Sequence, residues 1–164
     1  MTGVQTCALP ICEARASVHE LDGYTALRAM LPPPEKRALV LIDPPYEAQD
    51  EWARLVSGLS EALRRFPAGV YAIWYPLTER ARLDAFAPEL LNLLPPPTLV
   101  AELAVAGESS GLRLRGCGLV ILNPPWQFEH EARPVLEWLA GTLALDAGAR
   151  ADVRWLVPES GKQT

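Results

Sequence analysis

Short apolar runs alternate with longer amphipathic stretches along most of the chain. The apolar runs predict strands over residues 16–21, 38–43, 69–76, 98–105, 117–122 and 151–157. The amphipathic stretches predict helices over residues 24–31, 49–66, 78–94 and 129–145. The run "ALVLID" (38–43) is continuous rather than alternating, which is typical of a strand buried on both faces.

Strands that alternate with helices indicate an α/β fold with a mostly parallel sheet. In such a sheet, ligands bind beyond the carboxyl ends of the strands. The candidate functional residues are therefore those that directly follow a strand. They are Asp22-Gly23, "DPPYE" (43–47), "YP" (75–76) and "NPPW" (123–126).

The composition is that of a globular protein, because 49% of the 164 residues are hydrophobic and 21% are charged. This length suffices for one domain with a sizeable core. A net charge of −5 argues against a broad basic surface for nucleic acid, although it leaves room for a local basic patch. The apolar runs fall well short of the roughly 20 residues that a membrane-spanning helix needs, so no membrane association is expected.

The cysteines and histidines argue against a disulfide framework and against a metal site. Cys7, Cys12 and Cys117 are too few and too scattered to form a disulfide framework, which suits a reducing cytoplasm. His19 and His130 have no cysteine or histidine partner at the spacing that metal sites use, so the sequence predicts no metal.

The first residues, "MTGVQTCALPIC" (1–12), do not fit the rest of the chain. They lack the basic residues and the apolar length of a signal peptide, and they show no strand or helix periodicity. "TGVQTCALPI" resembles the translation of a common short-read sequencing adapter. We therefore expect residues 1–12 to be an artefactual leader joined to the gene product near Glu13.

"DPPY" after the strand "LVLI" is the most specific motif in the chain. Its prolines fix their own φ angles and restrict the preceding residue, so they hold the Asp43 side chain and the Pro44 carbonyl in a stiff loop. Each of these groups can accept one hydrogen bond from a planar exocyclic amine, and Tyr46 can stack on the ring that carries the amine. Two acceptors make such an amine nitrogen more nucleophilic. An ordinary proline turn that leaves a strand is the alternative.

Further motifs follow in order along the chain and point to one family. "LIDPPYE", "YAIWYP", "ELAV", "ILNPPW" and "WLVPE" occur in turn. Together they resemble the 23S rRNA adenine-N6 methyltransferases of the RlmJ type. The likeness runs from about Ser17 to Glu159, which is nearly all of the chain after the leader.

This resemblance implies a Rossmann-like, class I methyltransferase domain over residues 13–159, with 160–164 as a loose tail. It implies S-adenosyl-L-methionine as cofactor, 23S rRNA as partner, a cytoplasmic location and a monomer when intact. Asp43 would be the proton acceptor beside the target amine.

By the same resemblance, Asp22 and Gly23 would bind the adenosyl group of the cofactor. Pro44 and Tyr46 would clamp the target adenine. Without the resemblance, an ordinary turn explains Asp22-Gly23 equally well.

Weaker candidates for substrate contact are Pro45, Trp74, Tyr75, Arg113, Arg115 and Trp126. Trp74 and Tyr75 can equally serve the core, while Arg113 and Arg115 can belong to a solvated loop or contact phosphate. "NPPW" copies the shape of "DPPY", and "NPPY" occurs in methyltransferases that act on glutamine amides. Family resemblance places this motif beyond the catalytic loop, so Trp126 is interpreted as structural or as lining the substrate groove.

The sequence departs from the family before Ser17, where it lacks the Gly-rich turn and the acidic residue that complete members use for the cofactor. We therefore expect the fold to be truncated on its N-terminal side, without its first two strands. We also expect an unpaired edge on the strand 38–43, and a chain that is inactive as written. An inert fragment without cofactor binding, a DNA adenine methyltransferase and a protein amide methyltransferase are the alternatives.

Overall fold

The computed structural model of the protein describes residues 17–46, 50–78 and 80–159. The helices are α1 (Gly23–Met30), α2 (Glu51–Arg65), α3 (Arg80–Asn92) and α4 (Phe128–Thr142). The strands are β1 (Leu39–Ile42), β2 (Val70–Pro76), β3 (Thr98–Ala104), β4 (Gly116–Leu122) and β5 (Arg150–Val157). The predicted leader over residues 1–12 and the predicted tail over 160–164 lie outside the described residues.

The five strands form one sheet in the order β1-β2-β4-β3-β5. Only the pairing of β1 with β2 is parallel, while β4 pairs antiparallel with β2 and β3, and β5 pairs antiparallel with β3. The prediction of a mostly parallel sheet is therefore wrong. β1, β2 and β3 still run in one direction, so their carboxyl ends lie together where these three strands end. We call this side of the sheet the site edge, as distinct from the lateral edges formed by β1 and β5.

β4 runs against those three strands, and its carboxyl end lies at the opposite edge of the sheet. Asn123, which follows β4, donates its backbone N–H to the Pro97 carbonyl oxygen at 2.9 Å, just before β3 begins. The expectation that every strand places its following residue on the ligand side is therefore wrong for "NPPW".

The main core lies between one face of the sheet and helices α2 and α3. Leu55 and Leu59 of α2 and Leu90 of α3 are fully buried, as are Tyr71 and Ile73 of β2. Each fully buried leucine or isoleucine contributes about 1.5–3 kcal/mol through removal of apolar surface from water. This packing fixes α2, and with it the residues of its first turn, against the sheet.

Helix α4 packs on the other face of the sheet. Its residues Phe128 and Leu136 lie against Leu99 of β3 and Val153 of β5. No helix in the described part of the chain is long and apolar enough to cross a membrane.

Two further expectations are wrong. Residues 17–21 form no strand, and they lead instead into α1, whose N-cap is Asp22. β1 is not buried on both faces, because Leu39 and Leu41 are 70% and 67% exposed. Among the described residues β1 pairs with β2 alone, so its second edge carries no strand.

Candidate active site

A groove of about 740 Å³ runs between α1 and β1 and reaches the site edge. Both the predicted cofactor pair and the predicted catalytic loop line it, since Asp22, Gly23, Asp43, Pro44 and Pro45 all contribute to its wall. Its volume falls within the roughly 300–1,000 Å³ of small-molecule sites. Residues that are far apart in the sequence thus share one concave surface.

The predicted catalytic loop begins where β1 ends, at Ile42. Asp43 is exposed while Pro44, the next residue, is buried. The buried ring anchors the loop, and the restriction that a proline places on the preceding residue holds the Asp43 backbone extended. A carboxylate held in this way can accept hydrogen bonds from a ligand in the groove.

Tyr46 does not line the groove, because its ring is turned into the core and is 8% exposed. The ring lies 4.8 Å from the Trp52 ring and 6.4 Å from the Trp74 ring, and its hydroxyl donates a hydrogen bond to the Trp74 carbonyl oxygen. Burial raises the pKa of this hydroxyl. The backbone φ of Tyr46 is +55°, a conformation that costs a bulky residue about 1–3 kcal/mol.

The N-terminus of α1 forms the other end of the groove. Asp22 caps the helix, since its Oδ1 accepts hydrogen bonds from the Thr25 backbone N–H at 2.9 Å and from the Thr25 hydroxyl at 3.2 Å. The hydrogen bonds from the Thr25 backbone N–H and hydroxyl, and after them the Arg54 guanidinium, hold the pKa of the Asp22 carboxyl below its ordinary value. A Cβ added at Gly23 would meet nothing within 4 Å, so open space adjoins the helix N-terminus.

Three groove-lining residues escaped the sequence analysis: Tyr24, Glu51 and Arg54. The carboxylate of Glu51 is 2% exposed and accepts a hydrogen bond of 2.5 Å from the Tyr24 hydroxyl. Burial, and then this bond, raise the pKa of the Tyr24 hydroxyl. The available signal was an acidic and a basic residue three positions apart, Glu51 and Arg54, in the first turn of the helix that follows "DPPY".

Trp74 and Tyr75 are neighbours in β2, and both pack in the main core, Tyr75 as a buried residue and Trp74 as a partly buried one. Tyr75 is 2% exposed, and its hydroxyl donates to Glu102 Oε1 at 2.7 Å. Arg154 Nη1 lies 3.1 Å from Glu102 Oε2. A buried carboxylate needs such partners, and Tyr75 therefore belongs to a polar network inside the core, away from the groove.

The two candidate arginines lie at the site edge, in the loop between β3 and β4. Arg113 is exposed, whereas the side chain of Arg115 is 16% exposed, with Nη1 3.9 Å from Glu108 Oε1. β3 lies three strand positions from β1, which corresponds to roughly 14 Å at the usual strand spacing. Neither arginine lines the groove that holds Asp43.

Trp126 is 80% exposed and lies at the opposite edge of the sheet from Asp43. The structure does not bring it together with the groove residues. The preceding Asn123 has φ +52° and donates its side-chain amide to the carbonyl oxygens of Pro67 and Gly69, at 2.7 and 2.9 Å. These hydrogen bonds connect the "NPPW" segment to the residues just before β2, which is a structural role.

Across the described ranges, no group of three or more histidine, cysteine, aspartate or glutamate side chains is placed to hold a metal ion.

Comparison with known proteins assigns this arrangement to a family. Residues 10–157 match the family described as "Ribosomal RNA large subunit methyltransferase D, RlmJ". Two relatives, from Escherichia coli (strain K12) and Haemophilus influenzae, both bear the name "Ribosomal RNA large subunit methyltransferase J". The first is 38% identical over 147 residues, and the second is 37% identical over 138.

These alignments cover 90% and 84% of this chain but 52% and 49% of the two relatives. The chain therefore spans about half the length of the relatives that it matches. A crystal structure of a protein from Legionella pneumophila has a TM-score of 0.73 and 31% identity, over 86% of this chain and 51% of that one. The family match and the similarity to this crystal structure thus confirm the predicted α/β methyltransferase fold.

Proposed function

Because the chain belongs to the RlmJ family of ribosomal RNA large subunit methyltransferases, we propose that its groove serves S-adenosyl-L-methionine-dependent methylation of an adenine N6 in 23S rRNA. The observation that carries the proposal is the shared groove, in which Asp22 and Gly23 face the loop Asp43–Pro45. A donor site and an acceptor site must adjoin for direct transfer, since reacting atoms start about 3–3.5 Å apart.

The residues present fit the cofactor. The open space at Gly23, beside the N-terminus of α1, can take an adenosyl group, with those first-turn backbone N–H groups as donors that Asp22 does not engage. When bound, S-adenosyl-L-methionine supplies an electrophilic methyl group. We propose that the cofactor contacts the backbone around Gly23, because the Asp22 carboxylate already accepts hydrogen bonds from Thr25 and Arg54.

Asp43 and the Pro44 carbonyl are the proposed acceptors for the two hydrogens of an adenine amino group. With both hydrogens engaged, the nitrogen carries more electron density, and its lone pair is directed into the groove. The nitrogen would form a bond to the methyl group as the sulfur–methyl bond of the sulfonium breaks, with the electron pair left on sulfur as a neutral thioether. The nitrogen would also lose one proton, which Asp43 or a water molecule accepts. The adenine has to be unpaired or flipped out to enter, at a cost of a few kcal/mol that is smaller in a loop than in a duplex.

Tyr46 is the proposed stacking partner of that adenine. In the structure its ring lies on Trp52, so stacking on a base requires the loop to turn. The strained backbone at Tyr46 favours such a change when a base offers new contacts. Arg113 and Arg115 are the proposed phosphate contacts along the same edge, which would suit a protein without a broad basic surface.

The proposal is tested by incubating the purified chain with radiolabelled S-adenosyl-L-methionine and unmodified 23S rRNA. The same assay is run on a fusion in which the E. coli relative supplies the half that this chain does not match. We expect transfer to adenine N6 in the fusion, identified by mass analysis of the digested RNA. Methylated DNA or a methylated protein amide, with unmodified RNA, would favour the alternative substrates.

Asp43→Ala in the fusion should lower the rate by at least about 100-fold, the usual contribution of a positioned acid or base. Asp84→Ala is the matched control, because Asp84 is an exposed carboxylate on α3 outside the groove. Undiminished transfer by Asp43→Ala would remove Asp43 from the mechanism. A fusion that neither binds cofactor nor transfers methyl would favour an inert fragment.

A further inference from the structure

Two side chains of α2, Glu51 and Arg54, contact the N-terminus of α1 on both sides of Gly23. Arg54 Nη2 lies 2.9 Å from Asp22 Oδ2, on the residue before the glycine. Glu51 Oε1 accepts a hydrogen bond of 2.5 Å from the hydroxyl of Tyr24, the residue after the glycine. Gly23 itself has no side chain that could fix its place, so its neighbours have to do so.

The two α2 residues also contact each other and close a ring of interactions. Arg54 Nη1 lies 3.7 Å from Glu51 Oε2, and the guanidinium carbon sits 5.0 Å from the centre of the Tyr24 ring. A carboxylate as buried as that of Glu51 is costly unless it is paired and hydrogen-bonded. The cation and the phenol hydroxyl provide those partners.

The same turn of α2 reaches the catalytic loop. Trp52 lies between the two charged residues in sequence, and its ring packs 4.8 Å from that of Tyr46. The first turn of α2 therefore contacts the Gly23 end of α1 on one side and the loop that carries Asp43 on the other.

We propose that Glu51 and Arg54 are positioning residues that hold Gly23 in register with the Asp43 loop. The inference rests on the proposed function, in which the backbone at Gly23 contacts the cofactor. It adds two residues that, although they line the groove, act on the cofactor through the position of α1. Since the side chains of Arg54 and Asp22 are each nearly half exposed, their ion pair is partly screened and its effect on binding is moderate.

The test measures S-adenosyl-L-methionine binding by calorimetry on the full chain and on three variants. Arg54→Ala should bind about threefold to fivefold more weakly, consistent with the modest value of an exposed ion pair. Arg54→Lys, which keeps the charge, should recover part of the loss. Arg64→Ala is the control, because Arg64 also pairs with a glutamate three positions away on α2, Glu61, and should bind as the unsubstituted chain does. Equal affinities for Arg54→Ala and the unsubstituted chain would overturn the proposal.

A second readout separates this proposal from the proposed function. Nuclear magnetic resonance follows the pKa of the Asp22 carboxyl and the hydrogen exchange of the backbone amides of Gly23 and Tyr24. If neither the unsubstituted protein nor any variant binds the cofactor, the proposed function fails for this chain. The resonance measurements alone then decide whether Arg54 positions α1. A higher Asp22 pKa and faster exchange in Arg54→Ala, but not in Arg64→Ala, would support it, and unchanged values would overturn it.

Discussion

At the scale of single residues, Gly118 of β4 leaves the space that Tyr75 occupies. A Cβ at this position would lie 2.3 Å from Tyr75 Cζ and 2.5 Å from its hydroxyl oxygen. The tyrosine cannot move aside cheaply, because it is 2% exposed and hydrogen-bonded to the buried Glu102. The glycine is thus set by close packing, and any larger side chain has to displace the ring.

Gly118→Ala should therefore destabilise the fold by about 1–3 kcal/mol, the usual cost of overpacking a filled core. Urea denaturation measures it as a lower midpoint at unchanged slope. Gly141→Ala is the matched control, since a Cβ there meets nothing within 4 Å in α4. That change should stabilise the protein by about 0.5 kcal/mol through helix propensity. Equal effects of the two substitutions would contradict the clash.

The buried tyrosines predict loss of stability at alkaline pH. Burial raises the pKa of Tyr46 and of Tyr71, and the Tyr71 hydroxyl donates to the Phe66 carbonyl oxygen at 2.9 Å, which favours the neutral phenol. In the unfolded chain a tyrosine titrates near pH 10. The folded state then holds its protons more tightly, so this stability is complete below pH 10 and is lost as pH rises towards the folded values.

Urea denaturation at pH 8, 10 and 11 measures this effect as a falling free energy of unfolding above pH 10. Tyr46→Phe and Tyr71→Phe should each flatten that fall, because phenylalanine has no proton to lose. Equal stability at pH 8 and pH 11 in the unsubstituted chain would contradict the assignment.

At the scale of elements, the sequence located the helices and five of the six predicted strands, but not the directions of β4 and β5. The ends of β3 and β4 agree with the predicted ranges 98–105 and 117–122 to within one residue, because their apolar runs are bounded by prolines and polar loops. The direction of β4 was missed although a signal existed. Only a polar loop joins β3 to β4, and a parallel return needs a longer crossover, usually a helix.

The burial of β1 shows a different limit of sequence patterns. An apolar run shows that a strand is able to be buried. Whether Leu39 and Leu41 are buried depends on which elements pack beside β1, and both are exposed. The same holds for the groove. The motif "DPPY" marked Asp43, whereas the contacts of Glu51 and Arg54 required the position of α1 against α2.

Within the described ranges, the second edge of β1 is open, which predicts concentration-dependent association. Unpaired backbone groups beside exposed leucines form a template for strand addition. Leu41→Lys should reduce the apparent size at high concentration in light scattering, because a charge on an edge strand opposes pairing. Leu94→Lys is the control, as it exchanges a 90% exposed leucine outside any strand for the same charge. Equal reduction by both changes would indicate a general effect of charge rather than pairing at β1.

At the scale of the whole molecule, two similar motifs lie at opposite edges of the sheet and have different surroundings. "DPPY" ends a strand that runs towards the groove, while "NPPW" ends β4, which runs the other way. Asp43 is exposed and lines the groove. Asn123 instead uses its amide to tie β4 to the start of β2. The direction of each strand thus decides which edge of the sheet its motif reaches.

This division predicts opposite effects for two alanine substitutions. Asn123→Ala should lower the free energy of unfolding by about 1–3 kcal/mol, because it leaves backbone carbonyls at Pro67 and Gly69 without these donors. Its affinity for S-adenosyl-L-methionine should stay unchanged under conditions where the variant is folded. Asp43→Ala should leave stability within about 0.5 kcal/mol, as expected of an exposed side chain, while removing methyl transfer in the fusion with the E. coli half. Measuring urea stability and transfer on both variants tests the division directly. Loss of transfer without loss of stability in Asn123→Ala would move the catalytic assignment to the opposite edge.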